Sequence, residues 1–254
     1  MIAKLDLILS ELDLLKIEWQ LQNAVNSPAI QQALAIQYTF DSLHLEGSRL
    51  TLRETELLLR NGLMSSEKSL AENMAALNHF QAIDFIREKA ADQVLLSENL
   101  LLELHALSCR AMLEQYPGQY RQIASLTPDD QPAPSPDKLP EQVQEHMAWL
   151  RREGAFMHPV VFAAETHRRL LYLQPFKSAN AVCARLLMNL ILLENDFPLV
   201  TIASDDANRT AYQTAMAQID LHHASDDWTL FIAEQIRLAC QSLISAQPSH
   251  ASWL

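Results

Sequence analysis

The sequence predicts an all-α protein, and three observations carry that reading. Apolar residues recur at spacings of three and four along most of the 254 residues, which lines one face of a helix. Alternating strand-like patterns are scarce. Only 4 residues are glycine, too few for a fold built on several glycine-rich phosphate loops.

In chain order, Leu5, Ile8, Leu9, Leu12, Leu15 and Trp19 form the first stripe. Similar stripes are expected over residues 29–45, 51–61, 70–90, 97–115, 140–153, 159–173, 182–195, 205–220 and 226–246. Ser27-Pro28, Asn61-Gly62, Tyr116-Pro117-Gly118 and Phe197-Pro198 mark the breaks. Thr127–Pro140 holds Pro128, Pro132, Pro134, Pro136 and Pro140 and reads as an extended loop. It is not read as a linker, because the helices on both sides read as halves of one bundle. Gln122–Leu126 has room for at most one short strand. Residues 247–254 read as a frayed tail.

Composition bounds the function. Apolar residues make up 49% of the chain, enough for a real core. Nineteen Lys and Arg oppose 31 Asp and Glu, a net charge of −12 that repels nucleic-acid backbones. No apolar run approaches membrane-spanning length, and Met1–Asp6 lacks a signal-peptide pattern. Cys109, Cys183 and Cys240 form no Cys-x-x-Cys. The expected setting is the reducing cytoplasm, with no membrane and no nucleic acid as partner.

The stretch Gln174-Pro-Phe-Lys-Ser-Ala-Asn-Ala-Val-Cys-Ala-Arg185 resembles the signature loop of the Fic (Fido) family, His-Pro-Phe-x-Asp/Glu-Gly-Asn-Gly-Arg-x-x-Arg. His158-Pro159 with Ala163, Ala164 and His167 resembles the helix before that loop, and Pro117–Arg121 its upstream Pro-Gly-x-x-Arg turn. Ser42-Leu-His-Leu-Glu46-Gly47 matches the family's inhibitory motif, and Thr51 and Glu54 continue it. The similarity runs in order over roughly residues 36–240. It implies a helical Fic core at residues 36–246 with an N-terminal inhibitory helix. Residues 1–35 are then a helical extension, and the Pro-rich flap is short.

The resemblance also implies chemistry. Most such proteins transfer AMP from ATP to a protein hydroxyl. The loop His acts as general base. The acid holds Mg²⁺. Two glycines admit the phosphates to backbone N–H groups, and two arginines neutralise them. This chain departs at nearly every such position. Gln174 stands at the general-base position and Ser178 at the Mg-ligand position, so no catalytic residue and no metal ligand is intact. Ala179 and Ala181 replace the glycines, each costing about 1 kcal/mol if its φ is positive. Val182 replaces the first Arg. The degenerate nucleotide-binding loop is Lys177, Ser178, Ala179, Asn180, Ala181, Val182 and Arg185. The inhibitory residues are Ser42, Glu46 and Gly47, and Glu46 is expected to pair with Arg185. Removal of AMP, which some relatives perform through this Glu, also needs the missing metal acid.

Other groups have two readings each. Cys183 is a substitute nucleophile at a helix start or a small packing residue. His167 is a substitute base or a structural histidine. Arg168, Arg169 and Lys177 are an anion site or a solvated patch. His222-His223 with Asp226 and Asp227 are metal ligands or, with Ser225, the start of a helix. His158-Pro159 reads as a helix start, not a ligand. The four tryptophans are scattered and imply no base-stacking platform.

The leading reading is a degenerate Fic protein of the adenylyltransferase family, catalytically inactive or severely impaired, acting as a regulator or binding partner of a protein. A divergent nucleotidyl- or phosphotransferase and a nucleotide sensor without turnover are the alternatives. ATP and Mg²⁺ enter only through the resemblance, as weakened ligands. A protein partner or target is expected, and self-association is compatible with the sequence.

Overall fold

The computed structural model describes residues 2–21, 27–110, 112–217 and 226–245. Within them the chain forms α1 (Ile2–Gln20), α2 (Pro28–Leu45), α3 (Leu52–Asn61), α4 (Leu70–Ala91), α5 (Glu98–Ser108), α6 (Leu139–Glu153), α7 (Pro159–Leu173), α8 (Asn180–Glu194), α9 (Asp206–Ala217) and α10 (Asp226–Ser245). Short 3-10 turns lie at Leu113–Gln115, Pro136–Lys138 and Gly154–Phe156. No multi-residue strand occurs among the described residues. The fold is all-α, as the periodicity predicts.

Helix starts obey capping chemistry. Thr51 accepts from the N–H of Glu54 while the Glu54 carboxylate takes the N–H of Thr51, a reciprocal box that opens α3. Ser69 and Glu72 do the same for α4. His158 Nδ1 accepts from the N–H of Val160, and Pro159 fills the first helical position of α7. α2 runs unbroken through residues 35 and 36.

α8 lies at the centre. Asn180 and every residue from Val182 to Leu192 are buried. α7 and α4 flank it, with α5 and α2 alongside, and α1 packs on α10, which packs on α7. The apolar stripe of α1 thus docks onto the other end of the chain. Trp228 in α10 is fully buried and donates to the carbonyl of Ala164 at 2.8 Å. No helix among the described residues is long and apolar enough to cross a membrane.

Two stretches differ from expectation. The stripe over 97–115 ends as a helix at Ser108. The Asn78 amide, reaching from α4, donates to the carbonyls of Ser108 and Arg110 at 3.4 and 2.8 Å, which satisfies the helix end early. In the proline-rich stretch, one antiparallel bridge joins Leu126 to Pro132. Ala133 N–H donates to Ser125 O at 3.0 Å and Thr127 N–H to Gln131 O at 2.9 Å. Prolines on both sides prevent the pairing from growing. The predicted metal pair His222-His223, the Ser225 cap and the 247–254 tail lie outside the described residues.

Candidate active-site cavity

The loop between α7 and α8 is a tightly held backbone. α7 ends at Leu173, and Gln174 adopts the left-handed conformation at φ 43°. The Gln174 N–H still bonds to Leu170 O at 3.1 Å. Arg121 clamps the backbone at Gln174 and Pro175. It is 2% exposed and donates from Nε to Gln174 O at 2.6 Å, while its own backbone N–H donates to Pro175 O at 2.9 Å. Its Nη1 reaches Ile123 O at 2.7 Å and its Nη2 reaches Pro134 O. One guanidinium therefore ties the loop to the proline-rich hairpin.

Asn180 closes the loop from inside. Its Oδ1 accepts from Phe176 N–H and its Nδ2 donates to Phe176 O, both at 2.9 Å. The Phe176 ring is fully buried and stacks on His105 at 3.7 Å, 1° from parallel. His105 Nδ1 accepts from Gly118 N–H at 3.0 Å. Gly118 has φ +70°, and a Cβ there would meet Ala106 Cβ and Leu102 O at 3.2 Å. A side chain there would be strained and would press on Ala106 and Leu102, so glycine suits this turn.

Beyond the loop lies a cavity of about 420 Å³ at the start of α8. Glu46, Pro128, Gln174, Lys177, Ser178, Ala179, Asn180, Ala181, Tyr212 and Gln213 are among its lining residues. α8 starts without a side-chain cap, so its first-turn N–H groups lack helix partners. Ala179 holds φ 58°, the left-handed region that favours glycine. Ala181 sits inside the first turn of α8 and carries no such strain, contrary to expectation.

Arg185 sits behind this cavity with no exposed surface. Its Nη2 donates to Glu46 Oε1 at 2.9 Å and to Ser42 O at 2.8 Å. Its Nε reaches Ser42 Oγ at 3.0 Å and its Nη1 reaches Tyr212 OH at 3.2 Å. The contact with Glu46 is a single hydrogen bond, not a bidentate fork. Burial disfavours the charged guanidinium, and the Glu46 carboxylate beside it offsets that cost. Glu46 caps α2. The N–H groups of Gly47 and Ser48 return to His44 O and Leu43 O, and Gly47 has φ +90°. Glycine at 47 lets the chain turn away while Glu46 stays on Arg185. Tyr212, which no spacing marks in the sequence, joins this cluster from α9.

The remaining loop residues do other work. Gln174 Nε2 donates to Leu171 O at 2.8 Å, so this amide is tied to its own helix. Ser178 contacts His105 and Cys109. Val182 is 5% exposed and belongs to the core. Lys177 Nζ bonds Glu114 O at 2.8 Å and lies over the Tyr116 ring.

Magnesium wants several oxygen ligands with carboxylates among them. Among the described residues, Glu46 is the single carboxylate lining this cavity, and it is committed to Arg185. Ser178 offers a neutral hydroxyl. Among the described residues, Lys177 is the one cation in the lining. The residues present therefore do not fit a magnesium nucleotide.

The alternative readings separate clearly. Cys183 is fully buried and burial pushes its thiol far above its ordinary range, so it packs and does not attack. His167 is fully buried, shares a 3.1 Å hydrogen bond with Tyr212 OH, and lines no part of the cavity. Burial and the Arg185 charge hold its pKa well below the usual value. Arg168 is neither a solvated patch nor part of an anion site with Lys177. It is 1% exposed and grips Glu165 through Nε and Nη2.

The sequence profile of the Fic/DOC family matches residues 95–192, which run from before α5 almost to the end of α8. A protein adenylyltransferase Fic from Nematostella vectensis is 30% identical over 186 residues, covering 70% of this chain and 42% of that protein. This chain is a Fic-domain protein. It spans under half the length of the curated relatives it matches. A Fic domain containing signaling protein from Bacteroides thetaiotaomicron has a TM-score of 0.83 at 22% identity, covering 94% of this chain and 96% of its own. Fic-1 from C. elegans has a TM-score of 0.83 at 24% identity, covering 96% and 73%. These likenesses establish the shared fold. The Arg185–Glu46 contact joins the profile-matched part of the chain to α2, which precedes it.

Proposed function

We propose that this Fic domain does not transfer AMP and acts as a regulatory or binding partner of a protein. The donor set of the cavity carries the reading. An amide that cannot accept a proton near neutral pH stands at the base position. A hydroxyl stands where a metal carboxylate is needed, and the single lining carboxylate among the described residues already neutralises Arg185. A general base is worth about 10²–10⁴-fold. Aimed electrostatic stabilisation is worth a comparable factor, and this chain has lost both. The relatives' name, protein adenylyltransferase, supports a protein as the partner class.

The test is labelling by ATP carrying radioactive phosphorus at the α-position, with magnesium, using the purified chain alone and in a lysate. No label on the chain or on any lysate protein is expected. Label that disappears in Arg185→Ala overturns the proposal in favour of a divergent transferase. Nucleotide binding without label overturns it in favour of a sensor.

A further inference from the structure

A second cavity, of about 340 Å³, opens at the far end of α8 and shares no lining residue with the first. That volume suits a small molecule. Three helices end on it. Gln93 and Val94 follow the end of α4, Gly154 follows α6, and Glu194 and Asn195 close α8. The carbonyl end of a helix carries a partial negative charge, so three such ends around one hollow favour a cation.

Glu194 adds a carboxylate to these helix ends. The side chain is half-buried, and it has no hydrogen bond and no ion pair among the described residues. The walls beside it are apolar. Leu96 and Leu150 are buried, and the Phe162 ring stands so close to Gly154 that a Cβ there would meet it at 2.7 Å. Burial alone raises the Glu194 carboxyl to about 7. An unpaired carboxylate in such a place costs the fold stability, and a bound cation offsets that cost. The neighbouring charges leave it unpaired. Arg151 on α6 also lines the cavity, but it is exposed, where water screens it, and it does not shift the Glu194 carboxyl. Lys89, in the last turn of α4, lies outside the lining and is engaged with Glu88 at 3.1 Å. The α7 wall contributes Phe162 and no charge. One carboxylate is too few for a metal ion, and no cluster of metal-ligating side chains occurs among the described residues. An organic cation suits both the charge and the hydrocarbon walls.

We propose that this cavity binds a small organic ammonium ion, its charged group at Glu194 among the three helix ends and its hydrocarbon part against Leu96, Leu150 and Phe162. Glu194 supplies the charge-assisted contact, and the apolar walls supply burial.

The test is calorimetric titration of the full chain with cyclohexylmethylamine, and separately with the uncharged cyclohexylmethanol. At pH 8 the amine is expected to bind one-to-one and at least about tenfold tighter than the alcohol, the effect of one charge-assisted contact. At pH 6 the amine keeps its charge, as a lysine does, while Glu194 holds a proton. Its affinity is therefore expected to fall about tenfold from pH 8 to pH 6, and that of the alcohol to stay the same. Glu194→Gln is expected to remove both the preference and the pH dependence. Absence of saturable heat with the amine at millimolar concentration means that water alone fills the cavity, and overturns the proposal. Equal affinity for amine and alcohol at pH 8 also overturns it, as does amine binding that is the same at both pH values. These comparisons use the unaltered protein, so they decide even where the variant fails to fold.

Discussion

Replacing Arg185 by Met is expected to destabilise the fold by roughly 2–3 kcal/mol. Breaking a buried ion pair from one side costs about 3–5 kcal/mol, and the exposure of Glu46, at 39%, lets water recover part of it. At about 2–4 °C per kcal/mol for a chain of this size, the melting temperature falls by about 5–10 °C. An unchanged melting temperature shows that the guanidinium does not hold α2 to the core. Ser42, Glu46 and Arg185 were all legible in the sequence, because each belongs to a spaced motif. Tyr212 was not, because its role depends on where α9 crosses the cavity. Arg121 was visible as a turn residue, but its partners are backbone carbonyls, which leave no trace in side-chain identity.

Helices were the most legible objects, since the apolar stripe that drives burial also marks their span. The early end of α5 was not, because it depends on Asn78 reaching across from α4. The last turn of α8 supplies a prediction that belongs to the element. Glu194 sits at the carbonyl end of the helix dipole, where a negative charge is unfavourable. Burial raises its carboxyl from the ordinary 4.5 to about 7. The folded state therefore holds the proton more tightly than the unfolded chain. Its stabilising effect is complete below pH 4.5 and is lost as pH rises through about 7. Glu194→Gln is expected to melt close to the unaltered protein at pH 4 and above it at pH 8. A gap that is the same at both pH values contradicts this.

At the scale of the molecule, the packing frame of the Fic fold is kept while five positions of its loop carry other residues than the family signature. The clamp at Arg121, the buried Phe176, the Asn180 closure and the Arg185–Glu46 contact all shape or brace the loop. The replaced positions 174, 178, 179, 181 and 182 are those that the family resemblance ties to proton transfer, metal and phosphate. Position 182 now serves the core, and Gln174 serves its own helix. The most direct measurement is calorimetry of magnesium ATP against the unaltered chain and Glu46→Gly, which frees the Arg185 guanidinium toward the cavity. The expected result is no saturable binding to either at millimolar nucleotide. Saturable binding to the unaltered chain, or to Glu46→Gly alone, contradicts the reading of a cavity without nucleotide chemistry.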